Sequence, residues 1–135
     1  MFFLDTNVVI FALNMRKPAI DVRLQRELTI GTRLAISTIV LFELRYGIAR
    51  SDRREQSGRV LDAFLADRFE IVDFDYDDAD AAGELRGELA DAGTPVGPYD
   101  LMIAAQARRR GAVLVTENTR EFEQIAGLQC VSWGG

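Results

Sequence analysis

The sequence predicts an α/β fold of three layers, with helices covering both faces of a central, mainly parallel sheet. Short apolar segments of strand length alternate with longer ones whose apolar residues recur at helical spacing. Capping and turn residues stand at the changeovers. A chain of 135 residues that is 48% hydrophobic can bury one sizeable core but is too short for two ordinary domains and a linker, so residues 1–135 are read as one domain.

Phe2-Phe3-Leu4 is of buried-strand length, and Asp5-Thr6-Asn7 then caps an apolar helical stretch, Val8 to Leu13. After Pro18, Ile20, Leu24 and Leu28 recur at helical spacing, and Leu34-Ala35-Ile36 forms a second strand ending at Ser37. Ser37 or Thr38 caps the next helix, which carries Ile39 to Phe42, Leu44 and Ile48, and an amphipathic helix with Val60, Leu61, Phe64 and Leu65 follows. Glu70 to Phe74 alternates as a strand around Ile71 and Val72, and Asp77 to Ala92 forms a polar helix closed by Gly93. The loop Gly93 to Pro98 ends with proline at a first helical position, opening a helix to about Arg110. Val113-Leu114-Val115 is a buried strand, followed by Thr116-Glu117-Asn118, a short helix around Phe122 and a last strand near Gln129 to Ser132.

Composition excludes several kinds of chemistry. With no histidine, Ser-His-Asp and Cys-His nucleophilic sites, HExxH zinc sites and imidazole ribonucleases are all ruled out, so carboxylates must carry any reaction. The single cysteine, Cys130, can form neither an internal disulfide nor a CxxC knuckle. No apolar run approaches a bilayer span and Met1 to Asp5 contains no basic leader, so the expectation is a cytoplasmic protein without a membrane partner. A net charge of −5 argues against simple nucleic-acid binding. The charge is uneven, however. Asp67 to Asp91 is acidic, whereas Arg45, Arg50, Arg53, Arg54 and Arg59 cluster and Arg108-Arg109-Arg110 follow, forming either a basic footprint or solvated helix faces.

In parallel sheets covered by helices, ligand sites lie beyond the carboxyl ends of the strands, where several acids fall here. Glu43 lies among Ile39, Val40, Leu41, Phe42 and Leu44, with no base one turn away. A buried lone carboxylate costs several kcal/mol, so it needs a tertiary partner: a metal, a distant arginine, or exposure on a polar stripe with Arg45 and Arg50. Asp100 precedes the apolar run Leu101 to Ala105, and its ordinary reading is a first-turn acid that gains up to about 1 kcal/mol from the helix dipole. Asp5 has an ordinary reading as an N-cap worth about 1 kcal/mol. Converging at one sheet edge, Asp5, Glu43 and Asp100 would repel one another without a cation, and hard oxygen ligands select Mg²⁺ or Mn²⁺ over zinc. Glu121 is either a fourth ligand or part of the capping pattern Asn118-x-x-Glu121. Glu117 reads as an exposed loop acid. Thr116 and Asn118 suit hydrogen bonding to the acids that hold an ion.

The pattern resembles the PIN-domain ribonucleases and, within them, the VapC toxins of type II toxin–antitoxin systems. It does so over nearly the whole chain, through Phe3-Leu4-Asp5-Thr6-Asn7, Ser37-Thr38 to Phe42-Glu43-Leu44 with Tyr46-Gly47, Gly97-Pro98-Tyr99-Asp100 to Ala105, and Val115-Thr116-Glu117-Asn118 to Phe122. The resemblance implies a three-layer α/β/α PIN-like fold and a metal site at Asp5, Glu43, Asp100 and Glu121, supported by Thr6, Asn7, Thr116 and Asn118. Glu121 takes its role where family members vary, since Asn118 stands at the other place where they carry an acid. The resemblance further implies Mg²⁺-dependent hydrolysis of RNA phosphodiesters to 5′-phosphate and 3′-hydroxyl ends, with Mn²⁺ as a substitute ion. The implied partners are an antitoxin through which DNA is contacted, and a second copy in a homodimer.

Three rivals were weighed. A haloacid-dehalogenase-like phosphatase needs an acid where Asn7 stands. A receiver domain needs a late lysine, and Lys17 is the sole lysine. A catalytically silent PIN-like module that binds RNA or protein would gain nothing from gathered buried acids.

Overall fold

The computed structural model describes residues 1–67 and 69–135. Its five strands are β1 (Phe2–Leu4), β2 (Leu34–Ser37), β3 (Phe69–Val72), β4 (Val113–Val115) and β5 (Gln129–Val131). They form one sheet in the order β3-β2-β1-β4-β5, parallel throughout. The helices are α1 (Thr6–Asn14), α2 (Pro18–Ile30), α3 (Thr38–Ala49), α4 (Arg54–Leu65), α5 (Tyr76–Ala92), α6 (Pro98–Arg109) and α7 (Thr119–Phe122). This is the three-layer α/β/α architecture that the sequence predicts, with a mainly parallel sheet realised as a wholly parallel one.

The strands are apolar because helices cover them. All four residues of β2 are buried, as are Phe3, Leu4, Leu114 and Val115, whereas β3 at the sheet edge leaves Ile71 43% exposed. Punctuation residues act where expected. Ser37 caps α3 by accepting from the Ile39 N–H at 3.0 Å, Pro18 and Pro98 open α2 and α6, and Gly31 and Gly93 close α2 and α5 in the left-handed region at φ 80° and 70°.

Some boundaries differ from the sequence reading, among them the start of β3 at Phe69 rather than Glu70. β3 ends at Val72 rather than Phe74, because the Phe74 N–H turns to the Thr38 hydroxyl at 3.0 Å. Helix α5 starts at Tyr76 rather than Asp77, because Asp75 and Asp78 exchange side-chain-to-backbone bonds of 2.8 and 2.9 Å in a capping box.

The arginines Arg108, Arg109 and Arg110 belong to this framework. Arg109 and Arg110 converge on the fully buried Asp78, and Arg108 pairs with Glu88, so the run fastens α6 to α5 rather than forming a free basic patch. Among the described residues no helix is long and apolar enough to cross a membrane.

The topology selects one place for a site. From β1 the chain moves to β2 on one side, and from β4 it moves to β5 on the other, so a crevice opens beyond the adjacent ends Leu4 and Val115, which are paired in register. The next residues are Asp5 and Thr116.

Candidate active site

Asp5 is 3% exposed and is the N-cap of α1, accepting from the Thr6 N–H at 2.8 Å, so its ordinary capping role is real. Its other carboxylate oxygen accepts from the Thr116 hydroxyl at 2.8 Å, across the β1–β4 junction. Thr6 reaches the other way, donating through Oγ1 to Glu43 at 2.7 Å. Two threonines thus link the acids of α1 and α3 to the end of β4. Burial is the main influence raising the Asp5 carboxyl above its ordinary value of 3.8; the Thr116 and Thr6 hydrogen bonds oppose it, and the Glu43 and Glu121 charges add to it.

Asp100 and Glu121 form the opposite wall. The Glu121 carboxylate accepts from the Gly97 N–H at 3.3 Å and from the Asn118 amide at 2.6 Å, and it is in hydrogen-bond contact with Asp100. A Cβ at Gly97 would lie 3.6 Å from Asp100 Oδ2 and 4.0 Å from Glu121 Oε1, so glycine leaves this wall open. The Asp100 carboxyl is pushed up to about 7 by burial first, then by the charges of Asp5, Glu121 and Glu43 and by the bond to Glu121. Asp5, Glu43, Asp100 and Glu121 therefore sense one another electrostatically in a single crevice.

This donor set suits a hard divalent cation: oxygen only, multiply acidic, and holding a carboxyl proton that a cation would displace. Among the described residues no three of the acids stand as a ready-made metal cage. A cation would draw them together from hydrogen-bonded positions.

Of the supporting residues, Thr6, Thr116 and Asn118 touch the acids directly, whereas Asn7 accepts from the Glu117 N–H at 3.4 Å and touches none of them through a bond seen here. The capping alternative for Glu121 is not realised. Asn118 makes no side-chain cap bond to α7, and its own N–H goes to the Thr116 hydroxyl at 3.0 Å.

Helix α3 is less buried than its composition suggests, with Phe42 and Tyr46 51% and 60% exposed. Glu43 is half-buried and finds its tertiary partner in Thr6 rather than in an arginine. Glu117 is likewise no exposed loop acid, since its carboxylate is enclosed by the C-terminal residues.

Two features escaped the sequence reading. Phe42 and Tyr99, each preceding a site acid, meet with ring centroids 5.4 Å apart and remain half exposed. A groove of about 470 Å³ between α1, α3 and α4 runs past Glu43 and is lined by Ile10, Leu13, Ile48, Arg53 and Val60 among others. The adjacency of Phe42 to Glu43 and of Tyr99 to Asp100 was visible in the sequence. The convergence of α1 and α4 on the groove was not.

A family model for the PIN domain matches residues 2–128. The tRNA(fMet)-specific endonuclease VapC of Shigella flexneri is 44% identical over 132 residues, covering 98% of this chain and 97% of that protein. The chain belongs to the VapC family of PIN-domain ribonucleases. The VapC2 ribonuclease of Rickettsia felis is 40% identical, covering 98% of each protein. Among solved structures, VapBC2 of Rickettsia felis bound to a promoter DNA fragment matches with a TM-score of 0.91 at 38% identity, covering 98% of each chain. DNA-bound VapBC of Salmonella typhimurium matches with a TM-score of 0.90 at 43% identity, covering 98% of this chain and 97% of that one. These VapC relatives share the fold in which the β1–β4 crevice lies.

Proposed function

We propose that this VapC-family protein is the toxin of a type II toxin–antitoxin pair, acting in the cytoplasm as a Mg²⁺-dependent endoribonuclease that leaves 5′-phosphate and 3′-hydroxyl ends. The observation that carries the reading is the gathering of Asp5, Glu43, Asp100 and Glu121 in one crevice, with the Asp100 carboxyl at about 7. These four acids hold the ion, Mn²⁺ serving as a substitute. When bound, the ion supplies Lewis-acid activation of water and neutralises charge developing on the phosphate.

The chain's own groups do the rest. Thr116 and Thr6 orient the carboxylates of Asp5 and Glu43, leaving each with oxygen lone pairs that could turn to a ligand role. Asn118 and the Gly97 N–H hold Glu121, which shares a hydrogen bond with Asp100. Asp100 would hold the ion in its deprotonated form, so metal binding and loss of its proton would be linked.

Initiator transfer RNA is the first substrate to test, since relatives 43–44% identical are named for that specificity. The proposed partners are a cognate antitoxin, DNA contacted through that antitoxin, and a second copy of the chain, because the solved relatives include VapBC complexes bound to DNA.

The test is to incubate the antitoxin-free protein with total RNA in Mg²⁺, beside EDTA and Asp100→Asn controls, and to map the ends. Discrete 5′-phosphate ends lost in both controls are expected. Equal patterns in all three, from folded protein and an RNA pool containing initiator transfer RNA, would replace this reading with a catalytically silent binding module.

A further inference from the structure

The segment Thr116-Glu117-Asn118 faces two ways. Thr116 donates to Asp5 at 2.8 Å and Asn118 to Glu121 at 2.6 Å, so its two outer side chains hold acids on opposite walls of the crevice. The middle side chain turns away. Glu117 Oε2 accepts from the Ser132 hydroxyl at 2.9 Å and from the Trp133 and Gly134 N–H groups at 3.1 and 3.2 Å, while Oε1 meets the Lys17 ammonium at 3.5 Å. The Glu117 side chain is 11% exposed.

The donors around Glu117 are themselves fixed. Lys17, the sole lysine, sits 4.5 Å over the Phe11 ring. Trp133 is 5% exposed and packs edge-on against Phe2 of β1, with ring centroids 5.5 Å apart. At Gly134 an added Cβ would lie 2.8 Å from Glu117 Cδ, so glycine is what allows the tail to wrap the carboxylate. The Glu117 N–H is also spent, on Asn7 Oδ1.

We propose that Glu117 is a positioning residue for the metal site, and that Ser132, Trp133 and Gly134 clasp its carboxylate and thereby set where Thr116 and Asn118 present their donors to Asp5 and Glu121. The inference rests on the proposed metal-dependent function but assigns a role to a part of the chain outside the four acids. The physical reason is the short range and directionality of hydrogen bonds: contacts of 2.8 and 2.6 Å are lost if the segment shifts by about 1 Å or turns the donors off line. A carboxylate with four surrounding donors resists that movement better than a neutral loop would. The clasp also explains what Asn7 does without touching a site acid, since it holds the same segment from α1.

The test uses the full chain and Mn²⁺ as probe. Isothermal titration would compare the parent with Glu117→Ala, Glu117→Gln and Gly134→Ala, with thermal melts in EDTA to show the fraction folded. Gly134→Ala displaces the carboxylate without altering its chemistry. Glu117→Gln keeps an acceptor for the three tail donors, though a neutral one, and loses the lysine pairing.

The expected result is Mn²⁺ binding weakened about three- to tenfold in the Ala variants and within about twofold of the parent in Glu117→Gln, below the roughly 10–100-fold of residues that touch a metal ligand because Glu117 acts through Thr116 and Asn118. RNA cleavage by Gly134→Ala should be restored by saturating Mn²⁺, with the KM for RNA unchanged. Folded Ala variants with parental Mn²⁺ affinity would overturn the proposal and leave Glu117 as a stabilising residue only. If Glu117→Ala does not fold, Gly134→Ala decides by the same criterion. A parent that neither binds Mn²⁺ nor cuts RNA would overturn the functional reading together with this one, whereas a parent that does both beside variants that match it would overturn this one alone.

Discussion

Replacing Asp100 with asparagine should stabilise the metal-free protein at pH 8 while abolishing its response to Mn²⁺. Its carboxyl is pushed from an ordinary 3.8 up to about 7 by burial and then by the charges of Asp5, Glu121 and Glu43. Between those values the folded chain holds a proton that the unfolded chain has released. The stabilising contribution is therefore complete below about pH 4 and is lost as pH rises through about 7. The full gap corresponds to about 4 kcal/mol at about 1.36 kcal/mol per decade, but Asp100 is only partly buried, and solvent screening reduces this to about 1–2 kcal/mol.

Asparagine cannot ionise, so the variant lacks this loss. The assay is a set of thermal melts in EDTA from pH 5 to pH 8. The parent should lose several degrees more than Asp100→Asn across that range, about 3–8 °C for a domain of this size, with Asp5 contributing a smaller slope of the same sign to both proteins. Adding Mn²⁺ at pH 8 should raise the parent's Tm and leave the variant's nearly unchanged. Parallel Tm curves for parent and variant over the whole range would refute the argument that Asp100 carries the strain of the gathered acids.

Three further outcomes follow from other contacts. Asp78→Ala should cost about 3 kcal/mol in chemical denaturation at pH 7, because Arg109, Arg110 and the Gln106 amide would lose a fully buried acceptor. Burial works to raise the Asp78 carboxyl, but bonds from Arg110, the Asp75 N–H and Arg109 hold it down to about 2, so the deficit should be full above about pH 4 and shrink as pH falls from there to about 2. Thr116→Val should weaken Mn²⁺ binding about tenfold by calorimetry, since it removes the 2.8 Å bond to Asp5 with little change in shape. Phe42→Ala and Tyr99→Ala should each raise the KM for RNA about tenfold with kcat little changed, if the half-exposed ring pair stacks a base worth about 1–3 kcal/mol; unchanged KM values would exclude that contact.

Three of the candidate acids, Asp5, Glu43 and Asp100, stand out in the sequence because each breaks a local pattern that the fold otherwise obeys. Asp5 ends a strand, and Glu43 and Asp100 interrupt apolar helical stretches. The sheet was legible for a related reason: strands buried on both faces read as continuous apolar runs such as Leu34-Ala35-Ile36 and Val113-Leu114-Val115. Glu117 was misread because loop acids are ordinarily solvated, and nothing local shows that residues 132–134 return to enclose it. The degree of burial of α3 was not legible in the sequence either. Apolar composition does not show that Phe42 and Tyr46 face outward. Spacing leaves open whether Glu121 caps a helix or faces the site, since both readings use the same three-residue interval; the structure shows no side-chain cap bond from Asn118 to α7 and joins its amide to the Glu121 carboxylate instead.

A net charge of −5 is a poor guide to what this chain binds, because the charges are partitioned by helix. Helix α5 holds Asp77, Asp80, Glu84 and Asp91 in solvent, and its inward acid Asp78 neutralises the arginines of α6. Around α3 and α4 the balance reverses. Arg45 pairs with Asp62, while Arg50, Arg53, Arg54 and Arg59 make no ion pair among the described residues, and Arg53 lines the groove that runs past Glu43. Arg53 thus brings an unpaired guanidinium to a groove that leads a polyanion toward Glu43. Under the proposed function, the carboxylates that repel a phosphodiester in the metal-free chain would, with an ion among them, present positive charge to the phosphate instead.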